Sequence, residues 1–422
     1  MHSVTNAIPT GTIASIPAKA HAHRALICAA LANSPSTILL SRTSKDIDAT
    51  MDSLRGLGAH VVYENKVVTV TPGPVPAKGN VVPHESGTTL RLLLPVAASI
   101  CNDVNVDAKG RLPDRPLEPM LSEMKAHGVT FSQDKPPFTM TGRLQGGQFS
   151  MVGDVSSQFF SGLLLAAPQI GLSTITSTTP LQSSDYVTLT TETMRDFGVE
   201  VEHTLPDTNI NEAFTVPFGA SFIGRDNYQI EGDWSNAAIW MVAAGMTGKP
   251  ITITGMNKNS VQADRRIMQV MIDAGCDVVW DGMNVTVTGR ASKPIHVDLE
   301  QMPDMLPVMA ALACSISGES SFIKGARLRL KESDRLIAVA NLVRDLGGTV
   351  REEGDDLYII GSGILKGGHG DCVNDHRLVM AGTLMALISK NPVTLKDSEA
   401  ITKSYPDFFE DWNLLGGDAH GI

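Results

Sequence analysis

The stretch MQVMIDAGCDVVW, Met268 to Trp280, reads as the end of an amphipathic helix, then Gly275, then a strand rich in valine. Glycine adopts the left-handed conformation beyond a helix without a Cβ clash, so Gly275 marks where the helix should stop. The same succession occurs at MDSLRGLGAHVV (Met51 to Val62), MLSEMKAHGVTF (Met120 to Phe131), MRDFGVEV (Met194 to Val201), ANLVRDLGGTV (Ala340 to Val350) and EDWNLLGGDA (Glu410 to Ala419). The glycines Gly58, Gly128, Gly198, Gly275, Gly347 and Gly416 are 70, 70, 77, 72 and 69 residues apart. A hairpin is expected after the glycine, as around Glu64-Asn65 within Val61 to Pro72 and around Asp281-Gly282 within Val278 to Thr288. The chain is therefore expected to be mixed α/β, with six copies of one unit burying each other's apolar faces.

At 422 residues and 42% apolar content the chain exceeds the size of one ordinary core, so two domains of three units are expected. A strand expected at Thr12 to Ile16 precedes the first full unit, which begins near Lys19, and it needs a sheet to join. The pattern leaves two divisions open: a discontinuous domain with a crossing near Gln229 to Asp233, or two contiguous halves meeting near residue 230. The five cysteines, Cys28, Cys101, Cys276, Cys314 and Cys372, are widely spaced among apolar neighbours, and read as reduced core residues of a cytoplasmic protein. Met1 to Pro17 has no basic segment followed by an apolar run. No apolar stretch approaches the ~20 residues of a membrane helix, so secretion and membrane insertion are not expected.

The net charge is −11, yet positive charge is concentrated in short islands. Arg327 to Arg335 holds four cations in nine residues; Lys19 with Arg24, Arg111 with Arg115, His376 with Arg377, and Lys403 are others. Nucleic acid needs a broad basic face, so islands in an acidic chain suit small, highly charged anions. Basic or hydroxyl residues lie at the N-termini of helices in nearly every unit: Lys19 and Arg24 before Ala25 to Ala32, Ser86-Gly87-Thr88-Thr89 before Leu92 to Ser99, Ser156-Ser157-Gln158 before Phe159 to Ala167, and His376-Arg377 opening another, while Asp304 stands before Leu306 to Ala313. Helix N-termini with hydroxyls and cations hold phosphate or carboxylate. Taken singly, the hydroxyl turns and Asp304 read equally well as ordinary helix caps, and His376 as a structural histidine. No metal-ligand spacing, dinucleotide fingerprint or phosphate loop is present, so side chains are expected to do the chemistry.

In order, Lys19 to Ala32, Ser86 to Arg91, Arg111 to Pro116, Val155 to Gln158, Met302 to Asp304, Lys331 to Arg335 with Asn374 to Arg377, and Lys403 to Asp407 resemble the motifs of the enolpyruvyl transferases, specifically the branch acting on shikimate 3-phosphate. The resemblance spans Ile16 to Phe409. It implies a two-domain inside-out α/β barrel of six βαβαββ units, three per domain. One domain would be 1–17 with 231–422 and the other 18–230, with the active site in the cleft between them. The implied reaction joins phosphoenolpyruvate to the 5-hydroxyl of shikimate 3-phosphate through a tetrahedral intermediate and releases phosphate, with no metal or cofactor. Carried over by motif, Lys19, Arg24, Ser156, Ser157, Gln158, Ser183, Tyr186, Asp304 and Lys331 would bind shikimate 3-phosphate. Lys19, Gly87, Arg115, Gln158, Arg335, Arg377 and Lys403 would bind phosphoenolpyruvate. Asp304 and Glu332 would transfer protons, assisted by Lys19 and His376. A cytoplasmic monomer is implied, with small-molecule substrates and neither nucleic-acid nor membrane partners.

One departure bears on the acceptor. The family's Lys-Ser pair is Lys19-Ala20 here, removing a hydrogen bond to a charged group worth roughly 1.5 to 3 kcal/mol. Ala20 motivates an alternative, a related enolpyruvyl transferase or weakened homologue with an altered acceptor. The sister enzymes acting on UDP-N-acetylglucosamine carry a reactive cysteine in a loop whose counterpart, Ala108 to Pro116, has none. The RNA 3'-phosphate cyclases share a similar repeat, but the acidic charge and the lack of a basic, aromatic-rich face argue against them.

Overall fold

All six repeat glycines follow a helix and have positive φ, between +86° and +105°. The residue after each one closes the helix by donating its N–H five residues back. These bonds run from Ala59 to Leu54, Val129 to Met124, Val199 to Met194, Cys276 to Met271, Gly348 to Val343 and Gly417 to Trp412, at 2.8–3.1 Å. This is the Schellman closure, and a Cβ in the left-handed region would oppose it. The expected hairpins follow, with Glu64 opposite Val67 and Asp281 opposite Asn284.

The computed structural model describes residues 1–205 and 212–422. By internal packing the chain divides into two units, Met1–Ile16 with Glu231–Ile422, and Pro17–Ile230. Each unit contains three four-stranded sheets of one topology. In one sheet Gly79–Val81 lies parallel to Asp103–Val106, which pairs antiparallel with Phe138–Thr141, which in turn pairs antiparallel with Thr130–Phe131. Some sheets are completed from a distance. Gly11–Ala14 lies parallel to Ile251–Thr254, and His2–Val4 fills the place between Val393–Lys396 and Ala419–Gly421. Tyr228–Gln229 lies parallel to Ser36–Leu39. The expected strand at Thr12 to Ile16 thus starts one residue earlier and leaves the ladder at Ala14. Beyond it Ser15 still donates to Thr254, while the Ile16 carbonyl accepts from Asp233.

Each unit has its own apolar core, built by sheets packed around helices that are buried on nearly every side. These are Lys19–Ala30, Gly87–Ile100 and Ser157–Ala166 in one unit, and Trp234–Thr247, Leu306–Ser315 and His376–Ala386 in the other. The fold is the inside-out arrangement, helices within and sheets without. Packing can be very close: a Cβ on Gly162 would stand 2.5 Å from the Arg91 carbonyl oxygen. A helix buried all round has no polar stripe, so its polar groups collect where the N–H groups of the first turn need acceptors. Among the described residues no helix is long and apolar enough to cross a membrane.

Two histidines on the first buried helix link the fold to pH. His21 Nε2 meets the Tyr228 hydroxyl at 2.8 Å, and that hydroxyl donates to Asp196 at 2.8 Å; His23 Nδ1 meets Thr50 Oγ1 at 2.7 Å. Burial pushes His21 down to about 4 and His23 well below its ordinary value, helped for His23 by Lys19 and Arg24. Unfolding returns both to about 6.5. Below that pH the unfolded chain binds more protons, so stability is lost as pH falls from 6.5 toward 4. Denaturant titrations should show a loss of roughly 1.4 kcal/mol per pH unit for each histidine. The slope should shrink by one histidine's share in His21→Phe.

Candidate active site

In the unit holding the second half of the chain, the starts of two helices meet on one carboxylate, and a third is tied to them through Arg335. Asp375 precedes helix His376–Ala386 and is fully buried. Its oxygens accept from Ser333 Oγ (2.9 Å), Arg335 Nε (2.9 Å), Arg335 Nη2 (3.1 Å) and the Arg377 amide (3.0 Å). Arg335 opens helix Arg335–Asp345, and its Nη1 reaches Asp304 at 2.8 Å. Lys331 Nζ lies 3.0 Å from the same Asp304 oxygen. Asp304 sits in the turn Pro303–Met305 before helix Leu306–Ser315 and makes no side-chain cap. The cap reading therefore fails for Asp304, whose carboxylate faces cations.

The nine-residue island is divided by this geometry. Lys331 and Arg335 turn to Asp304, whereas Arg329 pairs outward with Asp355 (2.9 Å) and Asp334 (3.3 Å). Glu332 Oε2 stands 3.0 Å from His376 Nδ1 and 3.9 Å from Lys403 Nζ, and Lys403 donates to the Asn374 carbonyl at 2.7 Å. Arg377 Nη1 donates to the Ser235 carbonyl at 3.3 Å. Asp304, Lys331, Glu332, Arg335, His376, Arg377 and Lys403 are thus brought together. Glu332, Asp375 and His376 place one potential ligand atom each within 4.8 Å of one another. Asp375 is already occupied by four donors and Glu332 faces a lysine, so this donor set suits proton transfer beside cations better than a metal ion.

Charge placement tunes these groups. Burial alone would raise Asp304, but the charges of Lys331, Arg335 and Arg377 hold it well below the usual carboxylate range. Burial brings Lys331 down to about 8 despite Asp304 beside it. Burial also disfavours the charged form of Arg335, yet Asp375, Asp304 and Glu332 outweigh it and keep the guanidinium firmly protonated.

In the other unit Lys19 opens helix Lys19–Ala30 and pairs with Asp46 at 2.8 Å. Arg24 lies inside that helix, 1% exposed. It donates to Thr190 Oγ1 (2.7 Å), Ser161 Oγ (3.3 Å) and the carbonyls of Ala20 (2.7 Å) and Tyr186 (3.0 Å). Burial lowers it to about 10. With four of its five N–H groups engaged, Arg24 ties Tyr186 to the first helix. Gly87 stands under Arg115, and a Cβ there would lie 2.4 Å from Nη1, so this glycine allows the guanidinium its close approach. Gln158 donates to Thr88 Oγ1 (2.8 Å) and accepts from Arg91 Nη1 (3.0 Å), joining the starts of helices Gly87–Ile100 and Ser157–Ala166. Ser156, Ser157 and Ser183 are buried, and Ser183 has a φ of +55°.

Sequence reasoning passed over three residues as site members. Asp46 gave no local sign of pairing with a lysine 27 residues away. Arg91 and Asp375 stood inside quoted motifs, and Asp375 looked like an ordinary cap, which it also is: its carboxylate accepts the Arg377 amide.

The chain was compared with known proteins. The family model EPSP synthase (3-phosphoshikimate 1-carboxyvinyltransferase) matches residues 7–412. A 3-phosphoshikimate 1-carboxyvinyltransferase from Clostridium kluyveri is 36% identical over 413 residues, covering 97% of this chain and 95% of that protein. One from Methanocorpusculum labreanum is 35% identical, covering 97% of each. The solved EPSP synthase from Acinetobacter baumannii matches the fold with a TM-score of 0.80 at 23% identity, over 100% of this chain and 99% of that one.

Asp375 can be tested without any ligand. Replacing it by alanine leaves the buried Arg335 charge with Asp304 as its remaining carboxylate and should cost about 3 kcal/mol, the low end for a broken buried pair. Denaturant unfolding would register this as a lower midpoint at unchanged slope, whereas a loss under 1 kcal/mol would show that the clamp adds little.

Proposed function

This chain belongs to the EPSP synthase (3-phosphoshikimate 1-carboxyvinyltransferase) family, and we infer that it transfers the enolpyruvyl group of phosphoenolpyruvate to the 5-hydroxyl of shikimate 3-phosphate. The observation that carries the reading is the cluster of Asp304, Lys331, Glu332, Arg335 and Arg377, where two carboxylates suited to proton transfer stand among cations suited to anions.

On this reading Lys19, Arg24, Ser156, Ser157, Gln158, Ser183, Tyr186, Asp304 and Lys331 hold shikimate 3-phosphate. Lys19, Gly87, Arg115, Gln158, Arg335, Arg377 and Lys403 hold phosphoenolpyruvate. Glu332, backed by His376, protonates the methylene carbon. The acceptor oxygen attacks the neighbouring carbon while its proton passes to Asp304, giving a tetrahedral adduct. The methyl group then returns a proton, the carbon–oxygen bond to phosphate breaks, and inorganic phosphate leaves. Holding two reactants in place can supply ~7 to 11 kcal/mol of a barrier. We take the enzyme to act as a cytoplasmic monomer, in keeping with five free, buried cysteines and an acidic surface.

The alternative of an altered acceptor, raised by Ala20, is not favoured, since relatives that align over 97% of the chain carry the shikimate name. Phosphate release from phosphoenolpyruvate that depends on shikimate 3-phosphate is the expected result; release without the acceptor, or with another acceptor only, would refute the reading. Asp304→Ala should lower kcat by about 10²- to 10⁴-fold, the usual contribution of a positioned proton acceptor. Restoring a hydroxyl by Ala20→Ser should lower KM for shikimate 3-phosphate about tenfold, the equivalent of roughly 1.5 kcal/mol. An unchanged KM would mean that other donors already compensate.

A further inference from the structure

Asp264 lies in the short turn Ala263–Arg266, is 1% exposed, and belongs to none of the sets described above. Its Oδ2 accepts a hydrogen bond from the Ser235 hydroxyl, while its Oδ1 is buried with no hydrogen-bond partner. Ser235 is in the first turn of helix Trp234–Thr247, and its carbonyl is what Arg377 Nη1 donates to. Among the described residues this is the one hydrogen bond the Arg377 guanidinium makes to protein, which leaves most of its donors for a ligand. One serine therefore stands between a buried carboxylate and the arginine assigned to phosphoenolpyruvate.

We propose that Asp264 is a positioning residue for Arg377, acting through Ser235, and that it takes up a proton when an anion binds Arg377. The inference rests on the assignment of Arg377 to the anion. In the empty site, ionised Asp264 offsets the arginine's charge. An arriving anion satisfies Arg377 instead, and a second negative charge close by makes an incompletely bonded buried carboxylate costly to keep ionised. The proton then supplies Oδ1 or Oδ2 with a hydrogen of its own and removes the repulsion.

The charged groups around Asp264 agree with this. Burial raises its pKa, Arg377 from helix His376–Ala386 lowers it, and Asp304 and Asp233, from the turns preceding two buried helices, raise it, with a net value of about 6. Arg265 and Arg266 flank it on its own turn, with Nη1 donating to the carbonyls of Lys258 and Ala263 respectively. The neighbouring helix Ile267–Asp273 contributes Asp273 at its far end. A carboxylate near 6 needs only a modest push to change its state close to neutral pH.

The test is calorimetric binding of phosphoenolpyruvate to the intact protein at pH 7.5, where the ligand's phosphate is already ionised, in two buffers of different ionisation enthalpy. The wild type should take up a large fraction of one proton per anion bound. Asp264→Asn keeps an acceptor for Ser235 and mimics the protonated state, so its uptake should fall to near zero. Its KM for phosphoenolpyruvate should be flat from pH 6.5 to 8, where the wild type's rises up to tenfold per unit, with kcat within about twofold. Asp264→Ala, which also loses the Ser235 contact, should raise KM for phosphoenolpyruvate about tenfold at every pH. Absence of uptake by the wild type would overturn the proposal even if the variants did not fold, and so would undiminished uptake by Asp264→Asn. Binding is read without turnover, so a wild type that takes up a proton yet releases no phosphate with shikimate 3-phosphate would refute the proposed reaction and leave this inference standing.

Discussion

The carboxylate of Asp375 is the interaction on which the second-half unit of this protein depends. It receives two hydrogen bonds from the Arg335 guanidinium, one from Ser333 and one from the Arg377 amide. Those four bonds fix the start of helix Arg335–Asp345 against the start of helix His376–Ala386, and Arg335 reaches on to Asp304 ahead of a third helix. Breaking a buried ion pair by removing one partner is strongly destabilising, so Arg335 and its carboxylates hold one another in place. The demand for charge balance therefore decides where these three helices begin relative to one another within that unit.

The same demand explains why several cations of the candidate site rest on internal carboxylates. Lys19 rests on Asp46, Lys331 on Asp304, and Arg335 on Asp304 and Asp375. Cations gathered for anionic ligands repel one another until the ligands arrive, and internal carboxylates relieve that repulsion in the meantime. Arg377 leans instead on a backbone carbonyl, and Arg24 on hydroxyls and carbonyls. Such pairing weakens the bare attraction for any passing anion. It favours a ligand whose charges and shape replace several carboxylates at once.

The fold was legible because it is written in glycine spacing. A left-handed residue beyond each helix is a local requirement, met six times at Gly58, Gly128, Gly198, Gly275, Gly347 and Gly416, and no distant contact alters it. Five of the six buried helices were legible too, as apolar runs preceded by hydroxyls, cations or, for Leu306–Ser315, Asp304; Trp234–Thr247 carried no such mark. Partnership was not. Asp46 and Lys19 are 27 positions apart, and Arg335 and Asp375 are 40 apart. Such pairs are created by packing, which a single sequence does not display. Arg329 and Lys331 look equivalent in sequence; Arg329 lies in the 3-10 turn Ala326–Leu330 and pairs outward with Asp355, whereas Lys331, extended just beyond the turn, pairs inward with Asp304.

Asp304 shows how the pairing and the proposed chemistry depend on each other. Three cations hold it well below an ordinary carboxylate, which makes it a weak base in the empty site. On the proposed assignment, the phosphate of the acceptor engages Lys331 while the anion of the donor engages Arg377 and Arg335. Each arrival adds negative charge and turns a cation away from Asp304, and both changes raise its affinity for a proton. The base thus gains strength in proportion to how fully the site is occupied. With one ligand absent, its cation remains on Asp304 and suppresses proton removal from the acceptor. On that assignment the cations that bind the substrates would also time the reaction, because what they release on binding is the proposed proton acceptor.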